Sequence, residues 1–283
     1  MITHKDFAIF ILSYKRANKI YTLNTLKESN YTGDWYILIG DDDPEIDEYK
    51  RLYKDKLFIF NKDEASKLFD MCDNFDGKNV VVYARNYCFE LAKQLGLKCF
   101  AMFDDDYTSF EYRYDNGEKL KIMKSKEFDE VCNIFCDFLY DTDVKTICFA
   151  QGGDFIGGKE SQLFRNKIKR KAMNSFFCRT DKPFSFMGRI NEDVNAYVLQ
   201  GKTGDLFLTV CDMALVQKTT QKNKGGLSDI YNAEGTYLKS FYSVIVAPSC
   251  VKIQAMETTY TRVHHKINWN YAVPKIVSSS FKK

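Results

Sequence analysis

Lys98-Cys99-Phe100-Ala101-Met102-Phe103-Asp104-Asp105-Asp106 is the stretch on which the fold turns. A short, continuous apolar run that ends abruptly in charge reads as a strand buried on both faces of a sheet. Three adjacent carboxylates repel one another. Asp104 and Asp106, one residue apart, can converge on the same side and favour a hard divalent cation, Mg²⁺ or Mn²⁺. A solvated acidic turn has the same composition, but the position at the end of a buried strand favours the cation site.

Upstream, Phe7 to Ser13, Trp35 to Gly40 and Leu57 to Phe60 are further short apolar runs. Helical patterns separate them, over 19–27, after Pro44, and over about 79–95. Continuous apolar strands alternating with helices predict an α/β domain with a largely parallel sheet. In such sheets the loops at strand C-termini form the ligand crevice. Ser13 to Arg16, Asp41 to Asp43 and Asp104 to Asp106 should therefore gather on one edge. Downstream, Asp115-Asn116-Gly117 marks a hairpin. A helix over 126–140 and a strand over 146–150 follow, then a Gly-punctuated loop over 151–158. A mixed α+β half closes the chain, with a strand near 206–217 and a helix near 228–240. With 4 Pro, 15 Gly and no low-complexity linker, residues 1–158 and 159–283 read as two halves fused into one compact unit.

The 283 residues are 45% hydrophobic and 28% charged, which excludes a disordered chain, a collagen-like repeat and a small disulfide scaffold. No apolar run approaches the roughly 18 residues of a membrane span. The first residues lack the pattern of a signal peptide, so a cytoplasmic setting is expected. Nine cysteines, an odd number with no Cys-x-x-Cys pair, read as reduced and mostly buried thiols rather than a zinc site. Charge is uneven. Residues 1–158 carry 21 Lys and Arg against 29 Asp and Glu, net −8; residues 159–283 carry 20 against 9, net +11. An acidic front suits a cation site and a basic back suits a polyanion. Lys167, Lys169, Arg170 and Lys171, with Lys222 and Lys224 further on, form the densest basic stretch, though a solvated face has the same look.

Other candidates follow from residue type and place. Of Asp41, Asp42 and Asp43, one carboxylate caps the helix after Pro44 and another can accept from a ribose or base. Arg85, on the helix before the acidic strand, can reach phosphates or stand as a surface cation. Glu192 and Asp193 open a helix behind Asn191. First-turn acids suit the helix dipole there, and one of the two also suits a general base. His264 and His265 either complete the metal site or touch the diphosphate, or else form a surface pair. Lys224-Gly225-Gly226 is a turn whose backbone can cradle a phosphate, but it is no P-loop.

The ordered set, Ser13-Tyr14-Lys15-Arg16, then Asp41 to Asp43, Arg85-Asn86, Asp104-Asp105-Asp106, Glu192-Asp193 and a late histidine, resembles a nucleotide-sugar glycosyltransferase of the GT-A fold. That fold is Rossmann-like, with a mostly parallel sheet, flanking helices and a mixed α+β acceptor half. Within it the chain is most similar to the phage and kinetoplastid TET/JBP-associated glycosyltransferases, which act on hydroxymethylated pyrimidines in DNA. Gly225-Gly226, Tyr231, Gly235-Thr236-Tyr237, Lys239-Ser240 and Pro248-Ser249 add to this likeness.

The resemblance implies a nucleotide-sugar-binding half over 1–158 and an acceptor-binding half over 159–283. Asp104-Asp105-Asp106 becomes the DxD motif, with Asp104 and Asp106 as ligands of metal and diphosphate and the late histidines as candidate further ligands. Ser13, Tyr14, Arg16, Asp41 to Asp43, Arg85, Asp104 and Asp105 become the donor-binding set. Asp193 becomes the base, with Glu192 competing. A UDP-sugar, Mn²⁺ or Mg²⁺, and DNA carrying modified pyrimidines are the expected cofactors and partners, with no membrane and no obligate protein partner. Two other readings stay open. One is the same enzyme fold acting on a polysaccharide, lipid or protein; the other is a nucleic-acid-binding protein without catalysis.

Overall fold

The computed structural model describes residues 6–75, 77–166, 168–218, 238–257 and 261–274; within these, only backbone is described for 162, 163, 168, 169, 256, 257, 261 and 262. The strands are β1 (Phe7–Leu12), β2 (Asp34–Gly40), β3 (Leu57–Phe60), β4 (Cys99–Asp104), β5 (Tyr107–Asp115), β6 (Leu120–Lys124), β7 (Val144–Ala150), β8 (Ile168–Lys169), β9 (Phe176–Arg179), β10 (Leu206–Gln217), β11 (Val251–Glu257) and β12 (Thr261–Ile267). The helices are α1 (Tyr21–Glu28), α2 (Ile46–Tyr53), α3 (Lys62–Ala65), α4 (Val82–Gln94), α5 (Phe128–Asp141), α6 (Gln162–Asn166) and α7 (Glu192–Leu199), followed by α8 over 238–246. The helix expected near 228–240 falls mostly on 219–237, outside the described residues, as do Lys222, Lys224 and the Gly225-Gly226 turn.

The fold class is α/β, as the sequence predicts. Nine strands form one sheet in the order β3-β2-β1-β4-β9-β7-β10-β5-β6, and β8 pairs with β10 as a tenth. Tracing the pairings, seven of the ten strands run the same way; β5, β8 and β9 oppose them. β9 and β10, from the second half of the chain, lie between strands of the first half. β11 and β12 form a separate antiparallel pair. The parallel β1–β4 region reads clearly because each strand carries an unbroken apolar run. The four residues of β9 carry too little pattern to be read as a strand.

β4 shows why its sequence is apolar without alternation. Phe100 and Met102 pack into the core layer holding α4 and α7. Cys99, Ala101 and Phe103 pack into the layer holding α1 and α5. Both faces are covered, so no position can be polar until the strand leaves the sheet. Phe103 is fully buried against the rings of Tyr107, Phe110, Phe128, Phe149 and Phe177. Such burial contributes about 1.5–3 kcal/mol for one side chain. α4 stops where the chain must turn into β4. The Leu97 N–H bonds to the Ala92 carbonyl at 3.0 Å, and the Gly96 N–H to the Lys93 carbonyl at 3.1 Å, with Gly96 at φ +68°. Only glycine adopts that left-handed turn cheaply.

Eight of the nine cysteines are buried free thiols and Cys72 is partly exposed, as expected of a reduced chain. Among the described residues no helix is long and apolar enough to cross a membrane.

A buried ion pair ties the segment before α4 to the acidic helix. Arg189 donates Nε to Asp73 Oδ2 at 2.8 Å and Nη2 to Asp73 Oδ1 at 2.9 Å, and also bonds the carbonyls of Phe75 and Gly77. Tyr242 of α8 donates its hydroxyl to Asp73 and to the Met71 carbonyl. The side chains of Arg189 and Asp73 are 5% and 10% exposed. Burial alone would raise the Asp73 pKa, but the bonds from Arg189 and Tyr242 outweigh it and hold the carboxyl below its ordinary value. A carboxylate depressed in the folded state stabilises above its unfolded pKa and loses that effect as pH falls through the folded value. Asp73→Asn should therefore cost about 3 kcal/mol at neutral pH in urea unfolding. The gap to the native protein should narrow below about pH 4. A gap constant from pH 7 to pH 3 would show that charge on Asp73 is not what holds the segment.

Candidate active site

The loop after β1 is fixed from below before any ligand arrives. Ser13 Oγ donates to Asp105 Oδ2 at 2.6 Å and lies 2.8 Å from the Tyr49 hydroxyl. Arg16 Nη1 reaches Asp105 Oδ1 at 2.7 Å. Asp43 is buried and accepts from the N–H groups of Lys15 and Glu45; Glu45 accepts from the N–H of Ala17. Asp43 thus holds the backbone entering α2 and the β1 loop together; the helix cap expected of one of the triplet is not made, because Glu45 stands at the N-cap of α2 and no side chain caps it. Asp105 likewise turns to Ser13 and Arg16. Burial pushes the Asp105 carboxyl up, against the pull of Arg16 and Ser13.

Beyond the β4 tip the acids collect around one buried cation. Arg85 of α4 is 2% exposed. Its Nε donates to Glu192 Oε1 at 2.9 Å, its Nη2 to Asp104 Oδ1 at 3.2 Å and its Nη1 to the Asn174 carbonyl at 3.2 Å. The guanidinium carbon sits 4.9 Å from the Phe176 ring centre. Burial opposes its charge, but Asp104 and Glu192 raise its pKa on balance. Burial pushes Asp104 up, with Arg85 opposing. Burial, then Asp104 and Asp105, push Asp106 up to about 7. Burial and Asp193 push Glu192 up against Arg85. Asn191 sits at the N-cap of α7 in the left-handed region (φ +56°), but its side chain does not cap. It bonds the Lys239 carbonyl and Ser243 Oγ of α8 instead. Asp193 Oδ1 accepts the Val194 N–H at 2.7 Å.

These residues share one cavity of about 360 Å³ at the strand ends, within the range of small-molecule sites. Ser13, Tyr14, Arg16, Arg85, Asp104, Asp105, Asp106, Glu192 and Asp193 all line it. So do Gly40, Lys62, Asn79, Gln151, Asn174 and Gln217, which the sequence does not mark as site residues, and Lys239, which it marks only as part of the family likeness. Lys62 is buried, bonds Asp42 at 2.7 Å and the Lys78 carbonyl at 2.9 Å, and lies 4.9 Å from the Tyr14 ring centre. A Cβ on Gly40 would fall 2.5 Å from Lys62 Cε, so glycine at the β2 end leaves room for this lysine where it lies. A basic residue one turn past a short strand gives no signal by itself; only the fold brings it to Tyr14.

Several candidates do not line the cavity. Asp41 accepts from Asn61 and the Lys62 N–H, and Asp42 pairs with Lys62. His264 and His265 lie on β12, opposite Gln254 and Ile253 of β11. Burial, His264 and Lys239 hold His265 down to about 4, so it is neutral at ordinary pH. Arg170 bonds the carbonyls of Gly201 and Ala272, and Lys171 pairs with buried Asp154. Lys167 and the Lys169 side chain lie outside the described residues.

Among the described residues no three His, Cys, Asp or Glu side chains converge as a metal cage. Asp104 and Asp106, two hard oxygen donors on the wall of a cavity, nevertheless fit Mg²⁺ or Mn²⁺. Such ions are commonly held by one or two carboxylates with water and substrate phosphates.

No curated protein matches the chain. Among solved structures it is similar to glucosyl-3-phosphoglycerate synthase from Mycobacterium tuberculosis in complex with Mg²⁺ and UDP. The identity is 8%, covering 92% of this chain and 87% of that one, with a TM-score of 0.47. The same synthase with Mn²⁺, UDP and phosphoglyceric acid gives 9% identity, 92% and 86% coverage, and a TM-score of 0.47. A family profile, described as TET-Associated Glycosyltransferase, matches residues 7–226, from the first strand past the last strand of the large sheet. A match over that much of the chain settles its kinship: the protein belongs to the TET-associated glycosyltransferase family.

Proposed function

We propose that the protein moves a sugar from a UDP-sugar to the hydroxyl of a hydroxymethylated pyrimidine in DNA. The observation that carries this reading is one cavity, lined by Asp104, Asp106 and Asp193, in which Arg85 joins Asp104 to Glu192 on the helix bearing Asp193. The solved synthases similar to this chain are complexes with UDP and Mg²⁺ or Mn²⁺, in keeping with such a donor and metal.

The nucleoside sits against Tyr14, Gly40, Lys62 and Asn79, and the diphosphate lies toward Arg16 and the β4 acids. Asp104 and Asp106 would hold a divalent metal, which when bound offsets the charge building on the departing diphosphate. Asp193 takes the proton of the attacking hydroxyl. That oxygen bonds to the anomeric carbon, and the bond to the diphosphate breaks with its electron pair leaving on UDP. Glu192 is the poorer base because Arg85 Nε already occupies one of its oxygens. Its part is to hold Arg85 and, through it, Asp104.

A DNA acceptor accords with the net +11 of residues 159–283. Lys167, Lys169, Lys222 and Lys224 would meet phosphates and give salt-sensitive, largely sequence-independent affinity. Arg170 and Lys171 serve internal partners and are weaker choices. A base in a duplex would leave the stack to reach the cavity.

Mass spectrometry of hydroxymethylated DNA incubated with a panel of sugar nucleotides and Mn²⁺ should show the mass of one added sugar per modified base. Sugar added instead to a polysaccharide, lipid or protein, with DNA untouched, would replace the DNA reading. Asp104→Asn with Asp106→Asn should abolish the metal dependence of UDP-sugar binding in calorimetry; unchanged binding would move the donor elsewhere. Asp193→Ala should bind donor nearly as before but lose about 10²–10⁴ in turnover, and near-normal turnover would remove Asp193 from the proton transfer.

A further inference from the structure

Three carboxamides, those of Gln151, Asn174 and Gln217, line the same cavity, and the chemistry proposed above does not use them. Gln151 follows β7, Asn174 precedes β9 and Gln217 ends β10. These strands run consecutively beyond β4 in the sheet, on the side away from β1, β2 and β3. Along the rim the order is therefore Lys62, Gly40 and Tyr14 on one flank, the acids in the middle, and the carboxamides on the other flank. A nucleoside, its diphosphate and its sugar laid along that rim reach the acids, and what comes next is the acceptor.

The carboxamides are held in position. Asn174 Nδ2 donates to Gln217 Oε1 at 2.7 Å. Asn174 sits at φ +62°, with its carbonyl fixed by Arg85. The Gln151 N–H donates to Asp154 Oδ2 at 3.0 Å and the Asp154 N–H returns a bond to the Gln151 carbonyl at 2.8 Å; Asp154 is itself held by Lys171. Yet the buried Gln151 Nε2 has no partner among the described residues. Native proteins seldom leave a buried amide donor unmet. A carboxamide is uncharged and offers a donor beside an acceptor, which suits a neutral edge with the same pairing rather than an anion.

We infer that Gln151, Asn174 and Gln217 form the acceptor-reading flank of the cavity and recognise the hydrogen-bonding edge of an uncharged pyrimidine, an assignment that rests on the sugar-transfer reading above. Gln151 presents its N–H to a ring carbonyl, and the Asn174–Gln217 pair fixes the ring's orientation. These are specificity residues; the proton transfer stays with Asp193.

The test uses the full chain with Mn²⁺, UDP-glucose, and duplex oligonucleotides carrying one 5-hydroxymethyluracil or one 5-hydroxymethylcytosine. Gln151→Glu keeps the shape but can only accept, and Gln217→Met keeps the length but can do neither. Both variants should raise the oligonucleotide KM about tenfold or more, as sites built around a hydrogen bond do when it is lost. The calorimetric Kd for UDP-glucose should stay within about twofold. Gln151→Glu should also change the ratio of turnover on the two bases, because a carboxylate repels a ring carbonyl and accepts from an amino group. Donor affinity falling tenfold while the oligonucleotide KM holds would give the carboxamides to the donor sugar and overturn the assignment. An unmoved KM and base ratio in folded variants, judged by their Tm, would overturn it too. Should the native protein bind UDP-glucose and modify neither oligonucleotide, the DNA reading itself falls, and the pyrimidine occupant falls with it.

Discussion

The guanidinium of Arg85 is the point on which the site depends. It is buried beneath the cavity with one hydrogen bond to the strand bearing the acidic triplet, one to the acidic helix and one to the backbone before β9. A buried cation is tolerated only when its partners are fixed and complete. Arg85 therefore does more than neutralise: it requires Asp104, Glu192 and the Asn174 carbonyl to stand where its planar fork can reach them. Three segments far apart in sequence are brought into register by one side chain. Loss of either carboxylate would leave charge stranded in the core, so the arrangement is maintained as a set.

The sheet supplies the rest of the order. Because the parallel strands end on the same edge, each contributes a residue or two to a common rim, and strand order becomes the order of chemistry along it. An aromatic ring and a lysine stand at one end, carboxylates at the centre and carboxamides at the other. The central acids are of two kinds. Asp105 and Asp43 look inward and hold the loop after β1, so that loop is organised by folding rather than by ligand. Asp104 and Asp106 border open space. Neighbouring identical residues thus have opposite duties, decided by which way each leaves the strand.

That division explains what the sequence reveals. The apolar runs of β1 to β4 and the acids at their ends are legible because a doubly covered strand admits nothing polar and the first charge marks its exit. The direction each acid faces is not legible, so nothing in the sequence tells that Asp43 and Asp105 anchor the loop after β1. Lys62, Asn174 and Gln217 carry no local signal; their meaning comes from neighbours distant in the chain. The basic run suggested a polyanion surface, yet Arg170 and Lys171 turn to Gly201, Ala272 and Asp154, since long cationic side chains also serve as internal braces. The strands β9, β11 and β12 escaped notice for a simpler reason, their brief or mixed patterns.

The end of β10 is stitched to the acidic turn: the Lys218 N–H bonds the Asp106 carbonyl at 3.1 Å, and Thr108 Oγ1 bonds the Val216 carbonyl at 3.2 Å. The wall that carries Gln217 and the turn that carries Asp106 are thus welded into one piece. Two flanks of the cavity that differ in chemistry are therefore coupled in movement: any shift of the β10 end is passed to the acidic turn beside it.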